Sequence, residues 1–376
     1  MMKQIPFALP FIGEDEINAV VDTMRSGWLT MGKKTFDFED AIIKYTGADC
    51  AIAVNSCTAA LHLSLIAAGI KPGDEVITSP YTFAATGNVI VHTGAKPVFV
   101  DINPDTYNID PLKVAYSITP NTKAIIPVHY GGQPCEMAAL MEIAEDNNLI
   151  IVEDAAHAIG ASYSGKKIGN SEHSTCFSFY ATKNITTGEG GAVTTNDSKF
   201  ADKIRKLRLH GISKDAWNRY GGGSWRYDIE ECGWKYNTTD IQAAIGIHQI
   251  AKVDMFGFLR KKYAELYTEH FKNIPGIQVP TISETGNEFH LYPLLVPKEW
   301  RNLLITKLSE HGVFCSVHFI PLHLHSFYQR NYGFKYGDFP VCESVYEREV
   351  SLPIYPKMTE DDVLYVIESV KECLGV

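Results

Sequence analysis

The sequence predicts an α/β protein: a large three-layer domain on a mostly parallel sheet, followed by a smaller α+β domain. Two observations predict it. From Cys50 to Asp154 short apolar runs alternate with helical patterns, and continuous apolar strands separated by helices are strands buried on both faces of a parallel sheet. The chain has 376 residues, and beyond about 250–300 residues chains divide into domains. The large domain is expected over residues 11–255 and the small one over 256–376, with residues 1–10 packing on the latter.

Taken in order, residues 14–25 read as a helix because Ile17, Val20, Val21 and Met24 fall on one face. A glycine-bounded loop, Ser26 to Gly32, follows and holds Trp28. Strands are expected at 50–54, 75–79, 97–102, 124–128 and 149–154, and helices at 58–69, 83–92 and 137–147. Residues 174–180 alternate as a short strand through Cys176, Ser178 and Tyr180. A helix with a basic face is expected at 198–209. Residues 212–235 form a polar insert rich in glycine and aromatics, too long for an ordinary connection and suited to covering a site. One long helix, 240–272, then carries the chain into the small domain. There a strand at 288–296, a helix at 298–311 and a strand at 314–319 precede a last helix, which begins with Thr359 and has Asp362 three residues on, a capping-box start.

Composition excludes several classes. The formal net charge of −10 argues against a nucleic-acid or anionic-membrane surface. The first residues lack the apolar core and cleavage site of a signal peptide, and no run of about 18 apolar residues occurs, so a cytoplasmic protein is expected. Eight cysteines are scattered without a CxxC pair, which indicates neither a zinc ribbon nor a disulfide framework. No metal ligands are expected.

The chemistry gathers at strand ends, where open α/β sheets bind their ligands. Lys183 follows the 174–180 strand, between polar neighbours and ahead of Thr186-Thr187-Gly188-Glu189-Gly190-Gly191, whose glycines let a backbone approach a ligand closely. It reads either as a surface lysine or as an amine that forms a covalent imine with a cofactor carbonyl. Asp154 closes the apolar run LIIVED, so it is an ordinary strand-end aspartate or the partner of a cation. His157 lies three residues on and suits either a structural role or the same cation's ring. Asn55 to Ala60 join a strand end to a helix start, where free N–H groups hold anions, although serine and threonine cap most helices anyway. Phe83, after the run EVITS, is either core or a flat surface for a planar ligand.

In this order the features resemble the pyridoxal-phosphate sugar-nucleotide aminotransferases of the DegT/StrS type, within the aspartate-aminotransferase-like fold. The likeness runs through SGWLTMG, NSCTAALHLSL, SPYTFAAT, PVHYGGQ, VEDAAHAIGA, SFYATKNITTGEGGAVTTND, KYNTTDIQAAIG, VHFIPLH and SLPIYPKMT, nearly the whole chain. It implies pyridoxal 5'-phosphate as cofactor, with Lys183 as the Schiff-base lysine, Asp154 as partner of the pyridine nitrogen, and His157 near the ring hydroxyl. Phe83 would stack on the ring. Thr58, Ala59 and Ser178 would hold the phosphate, and Asn237 would reach the cofactor of the other subunit of a homodimer. Substrate contacts are expected at Trp28, Thr30, Tyr81, Arg219, His318 and His323, with Trp217 and Arg226 beside Arg219 in the insert.

The resemblance further implies L-glutamate as amino donor and a nucleotide sugar as acceptor. The TTGEGG run looks like that of C4-aminating members, so a UDP-linked 4-keto-6-deoxy sugar is expected to become its 4-amino-4,6-dideoxy product for a surface glycan. A C3-aminating enzyme, a sugar dehydratase and a non-enzymatic cofactor-binding regulator are the alternatives. The dehydratases of this family carry histidine where this chain has Lys183.

Overall fold

The computed structural model describes residues 3–212, 227–281 and 286–376. In order, the first elements are α1 (Glu14–Ser26), α2 (Lys33–Thr46), β1 (Cys50–Val54), α3 (Cys57–Ala67), β2 (Glu75–Thr78), α4 (Ala84–His92) and β3 (Lys96–Phe99). Next come α5 (Pro111–Tyr116), β4 (Thr122–Ile126), α6 (Met137–Asp146), β5 (Ile150–Asp154) and a small hairpin, β6 (Ser162–Tyr163) and β7 (Lys166–Lys167). They lead to β8 (Ser174–Ser178), β9 (Gly191–Thr195), α7 (Ser198–Leu207), α8 (Asp240–Ile250) and α9 (Val253–Phe271). The last part holds β10 (Tyr292–Leu295), α10 (Lys298–Glu310), α11 (Ser326–Tyr332), α12 (Pro340–Arg348), β11 (Glu349–Leu352) and α13 (Glu360–Leu374).

Seven strands form one sheet in the order β1, β9, β8, β5, β4, β2, β3. Only β9 opposes its neighbours; the other pairings are parallel. Alternation along β1 shows why the sheet needs cover on both sides. Ile52 and Val54 pack with Leu61 of α3 and Ile204 of α7, whereas Ala51 and Ala53 pack with Phe38 and Ile42 of α2. Because six strands run the same way, their carboxyl ends share one edge, and β9 starts there.

The smaller lobe is built on the β10/β11 pair. Tyr267 and Phe271 of α9 pack there with Leu304 and Leu308 of α10 and Val366 of α13. Ile5 joins the same cluster, donating its N–H to Gly312 O at 2.8 Å and accepting from Phe314 N at 3.0 Å.

Two expectations need correction, and α1, a helix as expected, buries its polar rather than its apolar face. In α1 the buried residues are Glu16, Ala19 and Thr23, while Ile17 and Met24 are 47% and 60% exposed. The cause is Glu16, whose carboxylate accepts from Lys252 Nζ at 2.5 Å, Gln249 Nε2 at 2.8 Å and Gly13 N at 2.9 Å, turning the polar face inward. Residues 240–272 form two helices, α8 and α9: Ala243 of α8 and Val253 and Phe256 at the start of α9 pack under the large sheet, while Tyr263 and Tyr267 further along α9 pack in the small lobe. Residues 314–319 form no strand beyond a bridge between Ser316 and Ser351. Side chains claim the groups that a ladder would use: His318 N donates to Glu349 Oε2 at 2.9 Å, and His318 O accepts from Tyr130 Oη at 2.6 Å.

Candidate active site

At the shared strand edge lies a cavity of about 450 Å3. Five chain segments that leave or enter the sheet there supply its walls, and the small lobe closes it with His290, His318 and Phe319. Phe7 reaches in from the N-terminal segment.

One wall is the start of α3. Ser56 caps the helix, its Oγ accepting from Ala59 N at 3.1 Å. The next N–H groups are open toward the cavity side, where Ser56, Cys57, Thr58 and Ser178 line the space. Free N–H groups at a helix start attract an anion, helped by the helix dipole. Gly191 makes this wall possible. A Cβ there would stand 2.5 Å from Ser56 C and 2.6 Å from Cys57 N, so only glycine lets the end of β9 lie against the helix start.

Asp154 ends β5 on the cavity floor. Its Oδ2 accepts from Thr86 Oγ1 at 2.7 Å and its Oδ1 from Ala156 N at 3.2 Å. Burial pushes its carboxyl above the ordinary aspartate range, opposed by those two hydrogen bonds and by the Lys183 and His129 charges. A cationic N–H placed against this carboxylate would supply the partner it lacks.

Lys183 sits in the loop between β8 and β9, where its backbone N–H donates to Tyr180 O at 2.9 Å. Burial lowers its amine to about 8, against the pull of Asp154 and Cys57. A lysine so placed is a nucleophile near neutral pH. Phe83, 64% exposed, presents its ring into the cavity mouth across from Phe319, centroids 6.1 Å apart.

His157 is fixed as a neutral ring. Its Nδ1 accepts from Gly131 N at 3.3 Å, which leaves the proton on Nε2. Burial holds it well below the ordinary histidine value, with Lys183 and His318 adding to the effect. His290 lies over it at 4.2 Å between centroids and is likewise lowered by burial. His318 is pushed down to about 4 by burial and Lys183. Among the described residues, the cavity therefore carries one titrating cation beside three neutral imidazoles.

The structure brings Lys183, Asp154, His157, Phe83, Thr58, Ser178 and His318 to one cavity, with Ala59 one residue behind Thr58 in α3. Two expected substrate contacts are corrected. Tyr81 is 1% exposed with its ring stacked on Tyr130, and His323 is buried with Nε2 bonded to Glu343 Oε1 at 2.8 Å. Tyr81 is interior because its ring belongs to the apolar cluster with Tyr130 and Leu322, and His323 because Glu343 holds its Nε2 inside. Trp28 and Thr30 lie outside this chain's cavity wall, in the loop that Asp240 holds by accepting from Gly32 N at 2.8 Å and Thr35 N at 3.0 Å. Asn237 lies there too, paired with Val54, and its Oδ1 is buried without a partner. Arg219, with Trp217 and Arg226, lies outside the described residues.

Sequence reasoning missed Thr86, Phe7, His290 and Phe319. Thr86 lay three residues after Phe83 in a stretch already singled out, but its partner Asp154 is 68 residues away, beyond any local signal. The cavity residues fit pyridoxal phosphate: an anion cradle whose wall stands only because Gly191 has no Cβ to push the start of α3 away, a buried carboxylate suited to a cationic partner, and a lysine amine within the same space.

Residues 10–371 match the DegT/DnrJ/EryC1/StrS aminotransferase family. The chain belongs to this family. Among its relatives, the spore coat polysaccharide biosynthesis protein SpsC of Bacillus subtilis is 50% identical over 98% of this chain and 96% of its own. Two solved structures are close in fold. The sugar aminotransferase Spr1654 of Streptococcus pneumoniae, in its PMP form, superposes with a TM-score of 0.93 at 37% identity, covering 98% of this chain and 99% of its own. PseC of Helicobacter pylori, an aminotransferase involved in pseudoaminic acid biosynthesis, gives 0.92 at 30% identity, covering 99% and 100%. As a member of the DegT/DnrJ/EryC1/StrS family, this chain is a pyridoxal-phosphate-dependent sugar aminotransferase. Among its described residues no helix is long and apolar enough to cross a membrane.

Proposed function

We propose that the enzyme converts a nucleotide-linked 4-keto-6-deoxy sugar, UDP-linked in preference, to the 4-amino-4,6-dideoxy sugar with L-glutamate as donor. It would act in the cytoplasm as a step toward a surface glycan. The observation that carries this reading is the joint placement of Lys183, Asp154 and, from the TTGEGG run, Glu189 and Gly190 on one cavity. The roles of SpsC in spore coat polysaccharide biosynthesis and of PseC in pseudoaminic acid biosynthesis support a glycan product.

When bound, pyridoxal phosphate supplies the carbonyl that receives the amino group and a ring that draws off negative charge. The chain's residues do the rest. Thr58, Ala59 and Ser178, with Ser56 beside them, would hold the phosphate at the start of α3. Asp154 would partner the ring N–H and keep it protonated. His157 would face the ring hydroxyl with Nε2, and Phe83 would cover a ring face. Lys183, titrating at about 8, would anchor the cofactor and serve as the base for the proton at the donor's α-carbon.

The assembly in this reading is a two-fold dimer. Ile17, Met24 and Leu29 form an exposed apolar stretch along α1 and the loop after it, and Asn237, Trp28 and Thr30 sit beside it, outside their own chain's cavity wall. Asn237, with its unpartnered Oδ1, would serve the partner's cofactor.

The deciding experiment records the visible absorbance of the cofactor-loaded enzyme, adds L-glutamate, then adds single keto sugars. Loss of the lysine-bound cofactor band with glutamate and its return with a UDP-4-keto-6-deoxy sugar is expected, with the product amine at C4 by NMR. Return only with a 3-keto sugar, or no response to glutamate, refutes the assignment.

A further inference from the structure

Behind His318 lies a chain of two polar side chains that the reaction outlined above does not use. His318 Nδ1 is bonded to Ser351 Oγ at 2.8 Å, and Ser351 Oγ is bonded in turn to Glu349 Oε1. Glu349 and Ser351 are both fully buried on β11. Nothing lets the His318 ring turn away. Its backbone is held on both sides, by Glu349 Oε2 and by Tyr130 Oη, and its ring lies on Phe7 with centroids 5.2 Å apart. Of the ring nitrogens only Nε2 is left for the cavity that His318 lines.

A hydroxyl between two partners can donate to only one of them. If the Glu349 carboxyl carries a proton, it donates to Ser351 Oγ, Ser351 donates to His318 Nδ1, and the ring proton sits on Nε2. If Glu349 is ionised, Ser351 donates to it, His318 Nδ1 donates to Ser351 Oγ, and Nε2 is bare. The two states differ by one proton and one negative charge. Between them the Nε2 proton leaves to the cavity, the Ser351 proton passes to Nδ1, and the Glu349 proton passes to Ser351 Oγ. No heavy atom moves.

We propose that Glu349 is a positioning residue which, through Ser351, sets the tautomer of His318 and so makes its cavity-facing Nε2 a donor or an acceptor. The result is a proton store one hydrogen-bond chain away from the substrate space. The arrangement suits an acceptor whose carbonyl oxygen must gain a proton while its carbon gains an amine.

The groups facing Glu349 leave it close to balance. Burial pushes its carboxyl up to about 8, opposed by the Ser351 and His318 hydrogen bonds and by Arg301 of α10. Tyr81, Tyr107 and Tyr130 face it from the large lobe, and Cys315 from the segment before His318; all stay neutral, since burial raises each of them. His318 itself faces Lys183, which disfavours a cationic ring. The ring therefore exchanges tautomers rather than taking up a second proton.

This inference rests on the proposed reading only in making His318 a substrate contact, and its test needs no substrate. Full-length protein labelled with 15N-histidine is examined by two-bond proton–nitrogen spectra from pH 6 to 10, with His318 identified by His318→Gln. The two ring nitrogens of His318 are expected to exchange their protonated and unprotonated shifts once, as Glu349 titrates. In Glu349→Gln the exchange with pH is lost. In Ser351→Ala, which removes a single oxygen, the tautomer no longer follows pH. A single His318 tautomer across the range in the wild type overturns the proposal, as does an exchange that persists in either variant.

Discussion

Gly191→Ala is the most direct probe of how the fold makes the anion cradle. The added Cβ would lie 2.5 Å from Ser56 C, 2.6 Å from Cys57 N and 2.7 Å from Ser56 O. All three are backbone atoms, so no side-chain rotation relieves the clash. Restoring ordinary contact at 3.4 Å requires the end of β9 and the start of α3 to part by 3.4 − 2.5, about 0.9 Å. Ser178 of β8 pairs with Gly191, so a shift of that size moves Ser178 away from the start of α3 and breaks a hydrogen bond to a phosphate held between them. One charge-assisted hydrogen bond is worth about 1.5–3 kcal/mol, which is roughly 10- to 150-fold in the cofactor's Kd. Overpacking costs the fold about 1–3 kcal/mol, less about 0.4–1 kcal/mol regained because alanine restricts the unfolded chain. The assay is titration of the apo protein with pyridoxal phosphate, followed by absorbance, beside thermal unfolding of the same sample. Wild-type affinity together with an unchanged melting temperature would refute the reasoning, because no flexible atom stands in the way to absorb the Cβ.

Other expectations follow from the same structure. Lys183→Met is expected to stabilise the apo protein below pH 8. Between about pH 8 and 10.5 the unfolded chain keeps a lysine proton that the folded chain has lost, so wild-type stability rises with pH there and the variant's advantage fades; urea unfolding at pH 7 and pH 10 checks it. Glu39→Gln is expected to cost about 3–5 kcal/mol by leaving Arg208 buried without its carboxylate, read by urea unfolding. Both side chains grip Ala53 of β1, Glu39 Oε1 accepting its N–H at 2.9 Å and Arg208 donating to its oxygen at 2.7 Å. Ile17→Arg is expected to convert dimers to monomers in sedimentation velocity, since a two-fold axis would set the new charges against each other; an unchanged sedimentation coefficient would remove α1 from the interface.

The parallel sheet and the strand-end residues were legible in the sequence because their signals are local. LIIVED names both a buried strand and the aspartate at its end, and the residues after Ser178 announce a turn with a lysine in it. What failed was long-range. The periodicity of α1 shows that one face is apolar, but not that Glu16 would find Lys252 and Gln249 and take the inward side. The break at Ala251–Lys252 contains neither proline nor glycine, so no local signal in the sequence reveals it. His290 looked like part of a strand, and its place over His157 depends on the packing of the small lobe against the sheet.

The β8–β9 connection has a consequence for what the cavity can hold. Phe179 N donates to Gly190 O at 2.9 Å and Thr187 N to Phe179 O at 2.9 Å, so the ends of the Lys183 loop are clamped to each other. The strand that closes the clamp is the one lying against the start of α3. The anion cradle and the amine are therefore two jaws of a single caliper, and its opening is set by backbone hydrogen bonds together with the Thr186 and Thr187 hydroxyls inside the loop. A change that lengthens the loop alters both ends at once, so drift in one half of the site is coupled to the other.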